Sequence, residues 1–274
     1  MTKFTKMNGL GNDFVIIDAR NQKFTMTAKR AQWIAYRRFG VGCDQIVIMN
    51  ESKKADIAVK FYNSDGSESA ACGNATRCVG LLIMDELKKD KAKIETNDRM
   101  LDVSRETNGE ITVNMGEPSF DWKDIPLAEE TDVLELPIEV GPLAEPVALS
   151  MGNPHAVFFV DDIDQVNLRA YGAQIENHPI FPERCNVTAA QINKDGSINS
   201  KVWERGVGKT LSCGTAACAT AVAAITCELV ESNIVEVEQP GGKLTIEWHD
   251  DSYVLMTGKV SKVYEGVFDE KVLK

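Results

Sequence analysis

The sequence predicts an α+β fold of two pseudo-symmetric domains, each a curled, barrel-like mixed β-sheet around a central helix. Three observations predict it. The phrase Ala71-Cys72-Gly73-Asn74-Ala75 returns as Ser212-Cys213-Gly214-Thr215-Ala216, with the two cysteines 141 residues apart. The same offset joins Gly11-Asn12 to Gly152-Asn153, Gln45 to Asn186, Asn63 to Glu204 and Met115 to Met256. A constant, ungapped offset over most of the chain indicates two copies of one unit. Second, short strand-like runs follow one another in the same order in both copies. Third, each cysteine phrase runs into an apolar stretch: Val79 to Met84 is apolar on every side, and Ala216 to Cys227 holds no charged residue. A helix apolar all round is a helix buried all round, and a sheet curled about it is the economical cover.

The elements follow in chain order. Asn8-Gly9-Leu10-Gly11-Asn12 is turn-rich and precedes a strand-like Phe14 to Ile17. Thr27 can cap a helix running to about Phe39 and stopping at Gly40. Strands are expected at 45–49 and 57–62, then the turn Asn63-Ser64-Asp65-Gly66 leads to the first cysteine phrase. A helix from about Asn74 to Lys88 ends in the basic run Lys88-Lys89-Asp90-Lys91, and strands return at 93–96, 101–104 and 111–115. The second copy repeats the order: a strand at 156–160, a helix at 168–177, strands at 187–192 and 200–203, then the second cysteine phrase and its helix. Strands at 235–238, 244–248 and 253–256 close it. The span Gly116 to Pro146, rich in Pro and Glu, reads as the crossover between copies. The domains are thus expected at 1–117, with a C-terminal tail 262–274 packing on that repeat, and at 118–261. The cysteine phrases are expected at the helix N-termini where the halves meet.

Composition narrows the function. A chain of 274 residues accommodates two domains of ordinary size, and 43% hydrophobic with 26% charged residues suits a soluble globular protein. A formal net charge of −11 argues against a nucleic-acid partner, whose phosphates need clustered Lys and Arg. No stretch approaches the ~20 apolar residues of a membrane span, and the first residues lack the basic start and apolar run of a secretory signal. Seven cysteines without close-set pairs fit a reducing compartment, so a cytoplasmic location without membrane attachment is expected.

Cys72 and Cys213 carry the chemistry. The start of a helix presents N–H groups with no partner in the helix and a partial positive charge, which can lower a thiol pKa from about 8.5 into the range of roughly 3.5–7.5. The following Gly lets a ligand approach the backbone, and the same N–H groups can hold a carboxylate. One element thus supplies both a base and a carboxylate site. Two such elements suit a reaction that takes a proton from one face of a carbon and returns it on the other. Cys78, Cys218 and Cys227, inside the helices, are expected as small buried apolar residues, and Cys43 and Cys185 as structural ones. The cysteine spacings do not suit zinc, so no metal site is expected. Gly206-Val207-Gly208-Lys209-Thr210 lacks the first glycine of a phosphate-binding loop, and Gly9-Leu10-Gly11 lacks the third of a dinucleotide site. The matched polar positions Asn12, Asn153, Gln45, Asn186, Asn63 and Glu204 recur at the offset of the cysteines, which favours a binding role over simple turn-making. Arg205 can grip a carboxylate bidentately, and His155 is either a satisfied core histidine or a group that tunes a thiol.

Six segments, Met7-Asn8-Gly9-Leu10-Gly11-Asn12-Asp13-Phe14, Asn63-Ser64-Asp65-Gly66, Ala71-Cys72-Gly73-Asn74, Met151-Gly152-Asn153-Pro154-His155, Glu204-Arg205-Gly206 and Ser212-Cys213-Gly214-Thr215, together resemble the diaminopimelate epimerase family, in the family's order and over nearly the whole chain. The resemblance implies a cofactor-independent enzyme, possible as a homodimer, that interconverts L,L- and meso-diaminopimelate in lysine and peptidoglycan precursor synthesis. It implies that Cys72 and Cys213 are catalytic and that His155 and Glu204 tune them. It further implies that Asn12, Gln45, Asn63, Asn153, Asn186, Glu204 and Arg205 contact substrate, and that Gly73-Asn74 and Gly214-Thr215 hold the α-carboxylate. Ala75-Thr76 and Ala216 depart from the family's smaller residues. Proline and hydroxyproline racemases are similar in fold and also pair two cysteines, and a dithiol redox sensor is the alternative of another class. The set of asparagines and Arg205 favour a substrate with a second polar end.

Overall fold

The computed structural model describes residues 1–69, 72–249 and 252–272. Ala71 of the first cysteine phrase and residues 273–274 of the tail lie outside the described residues. The chain forms two compact units, Met1–Val113 with Gly258–Lys274, and Asn114–Thr257.

The first unit contains β1 (Thr2–Gly9), β2 (Asn12–Asp18), α1 (Ala28–Ala35), β3 (Gln45–Asn50), β4 (Ile57–Asn63) and β5 (Glu68–Ser69). α2 (Gly73–Leu87), β6 (Lys91–Glu95), β7 (Met100–Arg105) and β8 (Ile111–Asn114) follow. β1–β2 is antiparallel, β2–β3 parallel, β3–β4 antiparallel, β4–β6 parallel, and β6–β7–β8 antiparallel. The C-terminal strand Ser261–Phe268 lies antiparallel along the other side of β1. α2 packs against β1 and β2 near one end of this order and against β6 and β7 near the other. A flat sheet cannot reach one helix from both ends, so the sheet curls around α2.

The second unit repeats the plan. A short hairpin, β9 (Glu139–Val140) and β10 (Leu143–Ala144), precedes β11 (Val147–Ser150), β12 (Pro154–Phe159), α3 (Leu168–Glu176), β13 (Asn186–Ile192), β14 (Ile198–Glu204) and β15 (Gly208–Lys209). Then come α4 (Gly214–Thr226), β16 (Ile234–Gln239), β17 (Gly242–Glu247) and β18 (Leu255–Gly258). β12–β13 and β14–β16 are parallel, while β11–β12, β13–β14 and β16–β17 are antiparallel. α4 packs against β11, β12, β13, β14, β16 and β17, so it is enclosed. Its residues from Ala216 to Ala224 are all buried. The expected α+β architecture, a curled mixed sheet around a central helix in each repeat, is therefore what forms.

The 141-residue offset survives in three dimensions. β4 and β14 match end for end, α2 and α4 start at matched glycines, and the register pair Phe14–Gln45 becomes His155–Asn186.

Several local expectations differ from what forms. α1 ends at Ala35 instead of continuing to Phe39, because the N–H groups of Gly42 and Cys43 take the carbonyls of Ile34 and Ala35 and turn the chain back. Thr27 does cap it, its side chain accepting from the Arg30 N–H. β1 was not legible as a strand. It joins β2 through Leu10-Gly11, both at positive φ (57° and 84°), as a tight two-residue hairpin requires. The span 116–146, expected as the crossover between copies, also supplies core: Ile125, Leu127, Leu136, Ile138 and Leu143 are buried in the second unit with Phe158 and Val187. Cys78 and Cys218 are buried, but Cys227 is the C-cap of α4 and partly exposed. Among the described residues no helix is long and apolar enough to cross a membrane.

Enclosure of α4 makes its small residues obligatory. Ala219→Leu, at a position with no exposed surface, is expected to destabilise the protein by about 1–3 kcal/mol through overpacking. Urea denaturation measures this, and an unchanged midpoint contradicts a helix packed on all sides.

Candidate active site

Cys72 is the extended residue from which α2 begins (φ −145°, ψ 110°), and Cys213 occupies the same place before α4 (φ −131°, ψ 116°). Each opens its helix through its carbonyl: Cys72 accepts from the Thr76 N–H at 2.9 Å and Cys213 from the Ala217 N–H at 3.1 Å. The N–H groups of the first turns therefore point out past the cysteines and not to carbonyls of the helix. Ala75, Thr76 and Ala216 are wholly buried, and the Thr76 hydroxyl donates to the Cys72 carbonyl.

In the first unit, Cys72 Sγ lies 3.7 Å from Asn12 Oδ1, which also accepts from Asn74 Nδ2 at 3.3 Å. Arg77, wholly buried one turn into α2, donates to Asn74 Oδ1 at 2.9 Å. Gln45 and Asn63 are register partners on β3 and β4, and Gln45 Nε2 donates to Asn63 Oδ1 at 2.8 Å. Asp44 braces Asn12, accepting from Asn12 Nδ2 and from the Asp13 N–H, each at 3.1 Å. Burial alone would raise the Asp13 carboxyl, but hydrogen bonds from Arg37 and Lys6 outweigh it and hold its pKa at about 2.

In the second unit, Cys213 is 8% exposed and its sulfur lies 3.5 Å from Thr215 Oγ1. Thr215 Oγ1 accepts from Asn153 Nδ2 at 3.3 Å, and Asn153 Oδ1 lies 3.0 Å from His155 Nε2. With the Asn153 amide donating to Thr215, its oxygen is the acceptor for His155, so the imidazole proton sits on Nε2. His155 is fully buried, and burial, aided by the nearby Arg205 cation, pushes its pKa down to about 3. Asn186 donates to the Pro154 carbonyl at 3.2 Å and accepts from the Arg205 N–H at 2.9 Å. Arg205 Nη1 donates to the Glu183 carbonyl at 3.0 Å, and Thr210 Oγ1 donates to Glu204 Oε1.

Three positioning groups were not found by sequence reasoning. Gln239 clamps the backbone of Cys213, accepting from its N–H at 2.8 Å and donating to its carbonyl at 3.3 Å. Thr210 and Asp44 brace Glu204 and Asn12. The alternation around Gln239 marks only a strand, whereas Asp44 beside matched Gln45 was a usable signal.

The family model described as diaminopimelate epimerase matches residues 4–121 and 147–263. The diaminopimelate epimerase of Rhodospirillum centenum is 45% identical over 273 residues, covering 99% of this chain and 94% of that protein. That of Sphingopyxis alaskensis is 47% identical over 267 residues, covering 97% of each. The chain belongs to the diaminopimelate epimerase family. Solved structures share the fold at lower identity. A PhzF-family phenazine biosynthesis protein of Bacillus anthracis has a TM-score of 0.69 at 20% identity, covering 97% of this chain and 98% of that one. A hydroxyproline epimerase of Agrobacterium vitis also has a TM-score of 0.69, at 14% identity, covering 97% and 91%. Of the positions that resemble diaminopimelate epimerase, the first unit gathers Asn12, Cys72 and Asn74 in one cluster and Gln45 with Asn63 in an adjoining one. The second joins Asn153, His155, Cys213 and Thr215, with Asn186 and Arg205 beside them.

A neutral buried His155 has a thermodynamic signature. Its folded pKa of about 3 lies below the unfolded value of about 6.5, so between these the unfolded chain binds a proton that the native state refuses. Stability is expected to fall as pH drops through that window, by up to about 1.4 kcal/mol per pH unit from this group. The Asp13 carboxyl, held at about 2, adds a loss only below about pH 4. His155→Gln is expected to flatten the urea stability profile between pH 4.5 and 6.5. An unaltered slope contradicts the buried neutral imidazole.

Proposed function

We propose that this chain is a cofactor-independent isomerase that interconverts L,L- and meso-diaminopimelate by proton transfer between two thiols and the α-carbon. The observation that carries the proposal is the duplicated placement of Cys72 and Cys213, each at the start of a buried helix and each linked to a matched asparagine, Cys72 directly and Cys213 through Thr215. One cysteine, as thiolate, removes the α-proton while the other, as thiol, delivers a proton to the opposite face; the reverse reaction exchanges their roles. The proton is weakly acidic, so the carbanion needs stabilisation where its charge develops. The N–H groups of Gly73-Asn74 and Gly214-Thr215 supply it by holding the α-carboxylate.

The remaining polar positions select the substrate. Asn12, Gln45, Asn63, Asn153 and Asn186 with Arg205 recognise the distal ammonium and carboxylate and so decide which carbon reacts. Glu204 contacts the substrate and, with His155, sets the protonation of the thiols; His155 acts as a neutral imidazole through Asn153. The enzyme works in the cytoplasm in lysine and peptidoglycan precursor synthesis, as a homodimer. Support for a dimer comes from Val263, Tyr264 and Val267 on the C-terminal strand, which leave 56%, 46% and 53% of their surface exposed, more apolar exposure than a strand facing only water needs.

Cys72→Ala and Cys213→Ala are each expected to reduce epimerisation of L,L-diaminopimelate by at least about 10²–10⁴-fold, followed by chiral chromatography of the product. Full turnover by either variant, or turnover of proline and not diaminopimelate by the unaltered enzyme, contradicts the reading. Sedimentation is expected to give twice the mass of one chain, and Tyr264→Asp to shift it toward one. A wild-type monomer at working concentration contradicts the dimer.

A further inference from the structure

Glu176 is the last residue of α3, 5% exposed, and both of its carboxylate oxygens accept hydrogen bonds. Oε2 accepts from the indole Nε1 of Trp203 at 2.7 Å, and Oε1 accepts from the Gly206 N–H at 2.8 Å and from Arg184 Nη1 at 3.3 Å. Trp203 and Gly206 bracket Glu204-Arg205, so one buried carboxylate holds the turn on both of its sides. Arg184 precedes Cys185-Asn186, whose asparagine accepts from the Arg205 N–H. The turn needs holding: Gly206 and Gly208 sit at φ 75° and 99°, and Val207 between them is 74% exposed. Gly172, one turn before Glu176, completes the seat. A Cβ there would fall 2.6 Å from the Trp203 ring, so the helix lies directly on the indole.

The duplication separates what the fold needs from what the site needs. At the matched position the first repeat ends α1 with Ala35. That unit secures the equivalent turn with a neutral contact, Gln32 Nε2 donating to the Asp65 carbonyl. The architecture thus closes without a carboxylate there. The residue matching Arg205 is Ser64, so the buried carboxylate occurs only in the repeat whose turn carries a cation. A buried carboxylate is costly unless it accepts several hydrogen bonds, and this one accepts three.

We propose that Glu176 is a positioning residue for substrate binding: it fixes the Glu204-Arg205 turn through Trp203 and Gly206, so that Arg205 meets the substrate's distal carboxylate without reordering. The proposal rests on the function proposed above. Because the residue touches no reacting atom, and Glu204 keeps its own hydrogen bond from Thr210, its loss weakens binding through Arg205 and leaves the proton-transfer step intact. Glu176→Gln keeps the size but sets an amide N–H₂ against a donor, either the indole or the Gly206 N–H.

The test measures kcat and KM for diaminopimelate in the wild-type enzyme, Glu176→Gln and Trp203→Phe, together with the diaminopimelate concentration that protects Cys213 from iodoacetamide. In Glu176→Gln, KM and the protecting concentration are expected to rise roughly tenfold or more, with kcat within about threefold, as befits loss of hydrogen bonds to a charged group. In Trp203→Phe, which removes one donor and keeps the ring, the same shift is expected at about threefold. A merely structural role lowers the folded, active fraction and hence kcat, while KM stays unchanged. Unchanged KM in Glu176→Gln, or in Trp203→Phe where Glu176→Gln does not fold, overturns the proposal. Absence of diaminopimelate turnover in the wild-type enzyme instead overturns the functional reading on which it rests.

Discussion

The outward-pointing N–H groups at the starts of α2 and α4 are the constraint that organises this chain. They exist because each helix begins at its cysteine, whose carbonyl accepts the first helical bond while its side chain stays outside the helix. Much of the local structure holds that geometry. Gln239 fixes both backbone groups of Cys213, the Thr76 hydroxyl fixes the carbonyl of Cys72, and asparagines matched at the 141-residue offset stand beside each phrase. A curled sheet that encloses the helix keeps its axis, and so its positive end, in place.

Duplication explains both the symmetry of the chemistry and its limits. The repeated unit carries a thiol, a helix start and polar groups at the ends of parallel strands, which suits proton transfer at two faces of one carbon. The departures from symmetry fall around the polar groups proposed to bind substrate. Asn63 matches Glu204, Ser64 matches Arg205, Phe14 matches His155 and Ala35 matches Glu176. The first unit holds a charged cluster of Lys6, Asp13, Arg37 and Asp44 beneath Asn12, whereas the second buries a neutral imidazole and a carboxylate around Asn153 and Arg205. Equivalent thiols in unlike surroundings can act on a substrate with one reacting end and one anchoring end.

Much of this was legible in the sequence because gapless duplication converts single-residue guesses into paired ones. The matched ends of β4 and β14, and the matched starts of α2 and α4, are where the sequence placed Asn63, Glu204 and the two glycines. The C-terminal strand was not legible, since Val263, Tyr264 and Val267 are exposed and give no alternation, and its partner β1 lies at the other end of the chain. Gln239 and Glu176 were missed for a related reason. Each acts on backbone or side chains 26 to 30 residues away, and no local spacing rule records such contacts. Helix α1 stops short of the Phe39 that the sequence suggests because its terminating hydrogen bonds come from Gly42 and Cys43, beyond the apparent helix.

Solvent isotope incorporation tests the two-thiol account most directly. L,L-diaminopimelate is incubated with the unaltered enzyme in D₂O, and substrate and product are separated at low conversion. Two bases predict that meso product carries deuterium at the inverted carbon while the remaining L,L pool is still protiated, because the proton lost passes from carbon to one sulfur while the hydrogen gained comes from the other, already exchanged with solvent. Product that retains the substrate's own proton, or inversion without any solvent deuterium, would contradict the account.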